Sequence, residues 1–371
     1  MFTPSSRTIA DLPALVAALS AEEQARFQRL FHLDTVVGEV VPPASMIPWI
    51  EARFGTVETV RRQHIIKVTN LVMLDGALFN TLRARRPVEA QEAVDIEQAI
   101  AASADDPFCH AEEETPADVF GRVRGRHCLT ASNIARYDGQ HCVLVFDEHH
   151  PLRFTRETVH DAVETAMAWA YQAQALDRQA RYFFFLWNCL WRSGASIIHG
   201  HAQAVLTRGM HYAQVERWRR SALWYRLAYG ANYFDDLVAA HQALGLAVPL
   251  GEARILPSLT PIKEKETLII APTLNRDLLD ATYEVLTTFV RHLGVTAFNL
   301  ALYLRPLGPA EEDWNGFPAL VRLEDRGDPQ LKTSDLGAME LFASSVVAGD
   351  PFQVAAAIRE HLAQTLNHPA S

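Results

Sequence analysis

The sequence predicts an α+β protein built from two related halves behind an N-terminal helical extension. Three observations predict it. A strand–helix–strand order occurs twice, near residues 141–206 and again near 265–304. The separating segments, 155–176 and 274–293, carry apolar residues at helical spacing and are too long for strands. Residues 8–32 also repeat apolar side chains at helical intervals. The expected division is an extension over 1–60, a first half over 61–212 and a second over 213–371.

Taken in order, Ile9, Leu12, Leu15, Val16, Leu19, Phe27 and Leu30 mark helix over 8–32, and Pro42, Pro43 and Pro48 break any pattern over 41–60. Stretches 65–74 and 77–82 read as strands around the Asp75-Gly76 pair, a hairpin signal. A short acidic helix over 90–104 precedes a loop over 105–115. Strands are expected over 119–131 and 141–146. Thr155 is the N-cap of a long helix reaching Leu176. Residues 182–187 are a buried strand by composition, and 199–207 a second strand. Residues 214–247 read as helical, 255–271 as a strand pair, 297–304 as a strand and 334–366 as helix.

Bulk properties bound the function. The chain has 371 residues, 49% hydrophobic and 21% charged, with a formal net charge of −10. That balance argues against a broad nucleic-acid or anionic-membrane surface, while leaving room for a local basic pocket. Cys109, Cys128, Cys142 and Cys189 have no framework spacing, which suits a reducing compartment. No apolar run approaches the ~18 residues of a membrane span, and the first residues lack a secretory apolar core. The expected location is the cytoplasm.

The most informative stretch runs from Asn188 to Gln203. It places His199, His201 and Gln203 at alternate positions after a Ser193-Gly194-Ala195-Ser196 turn. Alternate residues of a strand share a face, so two imidazoles and an amide would sit beside a turn able to approach an anion closely. Neutral imidazole is a nucleophile near pH 7, and attack on phosphorus gives a phosphoramidate that can pass the group on. His201 can supply the nucleophile, Gln203 a donor to phosphoryl oxygens, and the Gly194–Ser196 turn backbone N–H groups. Taken alone, a His-x-His-x-Gln is as readily an ordinary strand with two half-exposed histidines.

With Asn188, Gly194 and Ser196 at their offsets, the stretch resembles the nucleotidyltransferase branch of the histidine-triad superfamily, the galactose-1-phosphate uridylyltransferase-like proteins. The resemblance implies two histidine-triad-like halves, each an antiparallel sheet with packed helices. It implies that His201 carries a covalent nucleotidyl intermediate, that Gln203 holds the transferred phosphoryl group and that His199 shapes the site. Asn188, Gly194 and Ser196 would contact nucleotide phosphates. Arg83-Ala84-Arg85-Arg86-Pro87 is similar to the family's phosphate-binding Arg-x-x-Arg-Pro, which passes that role to Arg83 and Arg86. Asn133 resembles a ribose-contacting position.

The family often holds a structural zinc on a Cys-x-x-Cys pair and two histidines. Here the pair reads Asp106-Pro107-Phe108-Cys109. The implied ligand set is Asp106, Cys109, His150 and His199, with His149 a close competitor to His150. Oxygen, sulfur and nitrogen donors all suit zinc. Two departures stand out. Gly200 occupies a position where the uridylyltransferase typically has proline, and strand 298–303 lacks the histidines that serve a second metal there.

The implied activity is nucleotidyl transfer from a nucleoside-diphosphate sugar or related nucleotide to a phosphate-bearing acceptor, as in galactose metabolism. Dinucleoside-polyphosphate or ADP-sugar phosphorylase or hydrolase activity is the first alternative, and a non-catalytic nucleotide-binding protein the second. A homodimer is expected by analogy, with neither nucleic acid nor membrane as partner.

Overall fold

The computed structural model describes residues 7–85 and 94–367. After a 3-10 turn come helices α1 (Leu12–Ala17) and α2 (Ala21–Leu30). Ser20 separates them: its hydroxyl accepts the Glu23 N–H, and the Glu23 carboxylate accepts the Ser20 N–H. That reciprocal box starts a new helix within the single stretch expected over 8–32. Strand β1 (Phe31–Glu39), α3 (Ile47–Phe54) and α4 (Val57–Arg61) follow. The helix expected over 8–32 is present as α1 and α2, while β1, α3 and α4 are additional, the last two in and beside the stretch where prolines are expected to break any pattern. Strands β2 (Arg62–Asn70) and β3 (Gly76–Phe79) form the predicted hairpin, with Thr69 opposite Gly76.

Helix α5 (Ile96–Ala102) lies inside the predicted acidic segment, and a single turn, α6 (Ala111–Glu114), interrupts the expected loop. Strand β4 (Cys128–Ser132) is shorter than predicted, since 119–127 pairs only through isolated bridges. Strand β5 (Gln140–Phe146) leads to α7 (Arg156–Leu176), which starts where the sequence says. The Thr155 hydroxyl accepts the Thr158 N–H at 3.2 Å, a cap worth about 1 kcal/mol. Strands β6 (Ala180–Cys189) and β7 (His201–Arg208) complete the first half's sheet.

Helices α8 (Ala213–Tyr229) and α9 (Tyr233–Ala243) come next. Then follow strands β8 (Val248–Leu250), β9 (Ala253–Pro257) and β10 (Thr267–Ala271), helix α10 (Arg276–Arg291), and strands β11 (Phe298–Tyr303) and β12 (Ala319–Asp325). The tail is α11 (Ala338–Phe342), β13 (Ser345–Val347) and α12 (Pro351–Asn367). The expectation of continuous helix over 334–366 is corrected by β13, which runs parallel to β3 with Ser345 opposite Ala77.

The strands form a four-stranded sheet, β1-β2-β3-β13, and a nine-stranded sheet, β4-β5-β7-β6-β11-β12-β10-β9-β8. The junction between the halves is the antiparallel β6–β11 pair, where Asn299 lies opposite Asn188. The large sheet is antiparallel throughout, as expected for this α+β class.

Strand alternation decides where the site can be. Ala202, Ala204 and Leu206 of β7 and Cys142, Leu144 and Phe146 of β5 join the main core with Ala162, Ala166 and Ala170 of α7. The small residues on both sides let helix and sheet approach closely. His201 and Gln203 therefore point to the opposite face. On that face Ala131, Val143 and Val145 form a small separate apolar cluster against which Phe108 and Ala111 pack. Among the described residues, all four cysteines are unpaired and no helix is long and apolar enough to cross a membrane.

Candidate active site

On the face away from α7 lies a cavity of about 420 Å³. His201, Gln203, Asn133, Gly194 and Ser196 all line it, with Phe108 and Tyr137 among its apolar walls. Five sequence-predicted residues from three separate segments thus meet at one place. A larger groove of about 720 Å³ runs between α7 and α10, but it contains none of them. Its Arg156 is already paired with Asp280 and Glu284.

His201 opens β7 and is 7% exposed. Its Nδ1 lies 2.8 Å from the carbonyl oxygen of His199. A carbonyl only accepts, so Nδ1 carries the proton and Nε2 keeps its lone pair. Nε2 has no hydrogen-bond partner among the described residues. Burial pushes the ring's pKa down, which keeps it neutral and nucleophilic. The edge of the ring meets Phe108 at 5.2 Å between centroids.

Gln203, two residues on, shares the face. Its Oε1 is 2.9 Å from His141 Nε2 and 3.5 Å from Asn133 Nδ2. Both neighbours address the oxygen, so the NH2 end is left for the cavity.

The turn before β7 is held by one carbonyl. Leu190 O accepts from Ser193 N–H at 3.1 Å, Ser193 Oγ–H at 2.7 Å and Ala195 N–H at 3.3 Å. Leu190 itself sits at φ 66°, a conformation that costs a non-glycine residue about 1–3 kcal/mol. Gly194 follows at φ 95°, where a side chain would be strained. Gly194 and Ala195 N–H groups both donate back into the turn, so the amides free to meet an anion begin at Ser196.

Asn188 lies at the end of β6, beside the cavity rather than on its wall. Its Oδ1 accepts from Asn299 Nδ2 at 2.6 Å, and the same Nδ2 lies 2.9 Å from Ser193 O. Arg326 in turn donates to Asn299 Oδ1. The histidine-free strand β11 therefore still touches the site, through an asparagine placed directly across from Asn188. Arg83 lies in an exposed 3-10 turn over Thr81–Arg85 and does not line the cavity. Arg86 lies outside the described residues.

His199 precedes β7, and its ring faces away from the cavity into a cluster with Asp106, Cys109 and His149. The ligand atoms of these four lie within 4.8 Å of one another. The structure thus groups His149, the close competitor, with Asp106, Cys109 and His199, and leaves His150 outside the group. The His150 ring turns the other way, with Nε2 3.1 Å from Glu97 and Nδ1 accepting the Leu152 N–H at 3.2 Å.

The cluster fits a cation. His149 Nε2–H is tied to Ile100 O at 3.0 Å and His199 Nε2–H to Phe146 O at 2.8 Å. Both Nδ1 lone pairs therefore face inward, 3.0 Å apart, and would repel without a positive charge between them. Cys109 Sγ lies 3.4 Å from one and 3.5 Å from the other. Asp106 Oδ1 accepts the Phe108 N–H at 2.8 Å, while buried Oδ2 has no partner.

Gly200, between the two histidines, is explained by packing. A Cβ there would meet the Glu148 carbonyl oxygen at 2.9 Å, and the Gly200 N–H donates to His149 O at 2.9 Å. Proline would clash and delete that bond, so this chain's connection out of β5 requires glycine.

No family model matches the sequence, and no curated protein matches it. Solved structures do. An ADP-glucose phosphorylase from Arabidopsis thaliana, with ADP-glucose bound, superposes with a TM-score of 0.59 at 14% identity, covering 79% of this chain and 98% of that one. The chain has the fold of the uridylyltransferase-like proteins. A uridylyltransferase matches with a TM-score of 0.54 at 15% identity, over 67% of this chain and 89% of the other. A GalT-like protein from Arabidopsis thaliana matches with a TM-score of 0.53 at 16% identity, over 69% and 92%. The uridylyltransferase-like fold is the one that the Asn188–Gln203 stretch implied.

Proposed function

We propose that this chain is a nucleotidyltransferase acting by double displacement on a nucleoside-diphosphate sugar or related nucleotide. The observation that carries the reading is the unshared Nε2 lone pair of His201, on a ring that lines the same cavity as Gln203 and the Ser196 turn. In the first step Nε2 bonds to the α-phosphorus in line, and the bridging P–O bond breaks. The sugar phosphate leaves with that electron pair. The Nδ1–H stays on the His199 carbonyl, which steadies the positive charge that the ring acquires. In the second step a phosphate oxygen of the acceptor attacks the same phosphorus, and the N–P electrons return to Nε2. Two inversions give net retention.

Gln203 would donate its N–H groups to the non-bridging oxygens, and free backbone amides from Ser196 onward would meet the phosphates. Asn188, with its oxygen occupied by Asn299, would offer its NH2 in the same way. Asn133 would contact the ribose. Arg83 would take up a phosphate only by moving toward the cavity, and Arg86 would share its phosphate-binding role. Gln203 cannot serve as an acid for a leaving group, as a third histidine could, which favours transfer over hydrolysis.

A second reading keeps the first step and changes the acceptor. In a phosphorylase, inorganic phosphate performs the second attack. Two features favour it: the absence of histidine on β11, and a likeness spanning almost the whole ADP-glucose phosphorylase. Incubating the full chain with ADP- and UDP-sugars, each with phosphate or with hexose 1-phosphate, separates the two. Nucleoside diphosphate appearing only with phosphate marks the phosphorylase. A new nucleotide sugar appearing only with hexose phosphate marks the transferase. Products formed equally in water alone would overturn both.

Asp106, Cys109, His149 and His199 would hold a zinc ion of structural role. It would tie the segment bearing Phe108 to the start of β7. Elemental analysis should find about one zinc per chain in the wild type and in His150→Ala. His149→Ala should lose it and melt about 5 °C lower or more. Equal zinc in both variants would contradict this ligand set.

A further inference from the structure

His141 lies on β5, opposite Val205 of β7, and is completely buried. A buried histidine in a strand of apolar residues needs partners for both ring nitrogens. Its Nδ1 is 3.0 Å from the backbone nitrogen of Tyr137, an N–H that can only donate. Nδ1 is therefore the acceptor, and in a neutral ring the proton sits on Nε2. Burial, with Arg136 nearby, pushes the pKa down and keeps the ring neutral; the hydrogen bond to Gln203, and after it Asp118 and Asp138, act in the other direction. Nε2–H consequently donates to Gln203 Oε1 at 2.9 Å. The Tyr137 ring, stacked at 4.4 Å between centroids and 26°, fixes the imidazole plane.

Asn133 acts in the same sense. Its Oδ1 accepts the Ala135 N–H at 2.9 Å, so its Nδ2 is a donor directed at the Gln203 oxygen. The 3.4 Å approach of Asn133 Nδ2 to His141 Nε2 sets two donors side by side on one acceptor. An amide has its oxygen on one end and its NH2 on the other. With the oxygen held by two donors, the NH2 must face the cavity.

We infer that His141 is a positioning residue for nucleotidyl transfer, whose Nε2–H locks the Gln203 amide with its donors toward the phosphoryl oxygens. This role rests on the function proposed above. A flipped amide would set a carbonyl oxygen against an anionic phosphoryl group, which is repulsive where the donor orientation is attractive. The relay runs from a main-chain N–H of the 133–139 loop through the imidazole to the amide. The loop that lines the cavity thereby sets the polarity of the Gln203 amide beside it.

The test compares His141→Leu, which keeps bulk and removes the donor, with His141→Gln, whose Nε2–H can reach the same oxygen. At saturating nucleotide sugar, labelling of His201 should slow by about 10- to 100-fold in the leucine variant, with nucleotide affinity little changed. The glutamine variant should recover most of the rate. A leucine variant labelled as fast as wild type, or a glutamine variant as slow as leucine, would overturn the role. Nitrogen-15 NMR of the wild type supplies a readout independent of turnover. The imidazole should be the Nε2–H tautomer at neutral pH, and an Nδ1–H tautomer would overturn the inference even if the leucine variant failed to fold. Wild type that never labels would instead overturn the proposed function, leaving the tautomer to decide how Gln203 is oriented.

Discussion

With His201 replaced by asparagine, the protein should still bind a nucleotide sugar and should form no covalent adduct. Turnover should fall by about 10⁴-fold or more, the scale on which removal of a catalytic nucleophile registers. Asparagine is the informative substitution. Its Nδ2 overlays the position of imidazole Nδ1 and can keep the bond to the His199 carbonyl, now 2.8 Å from Nδ1. It has nothing at the position of Nε2. The variant therefore removes the nucleophilic atom while keeping the local strand geometry, and its melting temperature should change little. Full activity in this variant, measured as nucleotide-sugar consumption with the acceptor present, would remove the basis of the mechanism.

Gln203 is the second large effect. Gln203→Leu should lower the rate of His201 labelling by about 10²- to 10³-fold, the usual loss when one donor to a developing oxyanion is removed. The loss should appear in kcat rather than in nucleotide affinity, because the donor matters most when charge builds on the phosphoryl oxygens. The same change strands the His141 Nε2–H in a buried site, costing about 1–3 kcal/mol of stability. Gln203→Glu separates the two consequences. Its carboxylate can still accept from His141, so stability should be largely kept, but it sets a negative charge against the phosphoryl group. Activity should be lower than in the leucine variant. A glutamate variant more active than leucine would show that Gln203 serves structure alone.

The parts of this molecule legible in its sequence are those with local causes. Thr155 caps α7 through an atom three residues away, and the Asp75-Gly76 turn specifies its own hairpin. The two-residue alternation of His201 and Gln203 put both on one face without reference to anything else. Elements set by distant partners were not legible. Strand β13 is three residues long and exists because β3, far earlier in the chain, offers it a parallel edge. Strand β12 likewise owes its place to its neighbours β10 and β11.

The site divides along the same line. His149 and His150 are adjacent and chemically identical, and only the course of the chain leaving β5 sends one to Cys109 and the other to Glu97. Asn299 owes its contact with Asn188 to cross-strand register, which no local pattern in its own strand announces. His141 left one trace, a titratable residue inside an otherwise apolar strand. Its partners, Tyr137 and Gln203, become visible only when β5 and β7 are paired.

In the proposed mechanism His201 becomes transiently bonded to a donor's phosphorus. Mass spectrometry of the full chain tests it most directly, after incubation with a nucleotide sugar in the absence of acceptor and an alkaline quench that preserves phosphoramidates. The expected result is an added nucleoside monophosphate mass on the peptide bearing His201, discharged when phosphate or a sugar phosphate is supplied. Unmodified protein under conditions where the same nucleotide sugar is being turned over would contradict it.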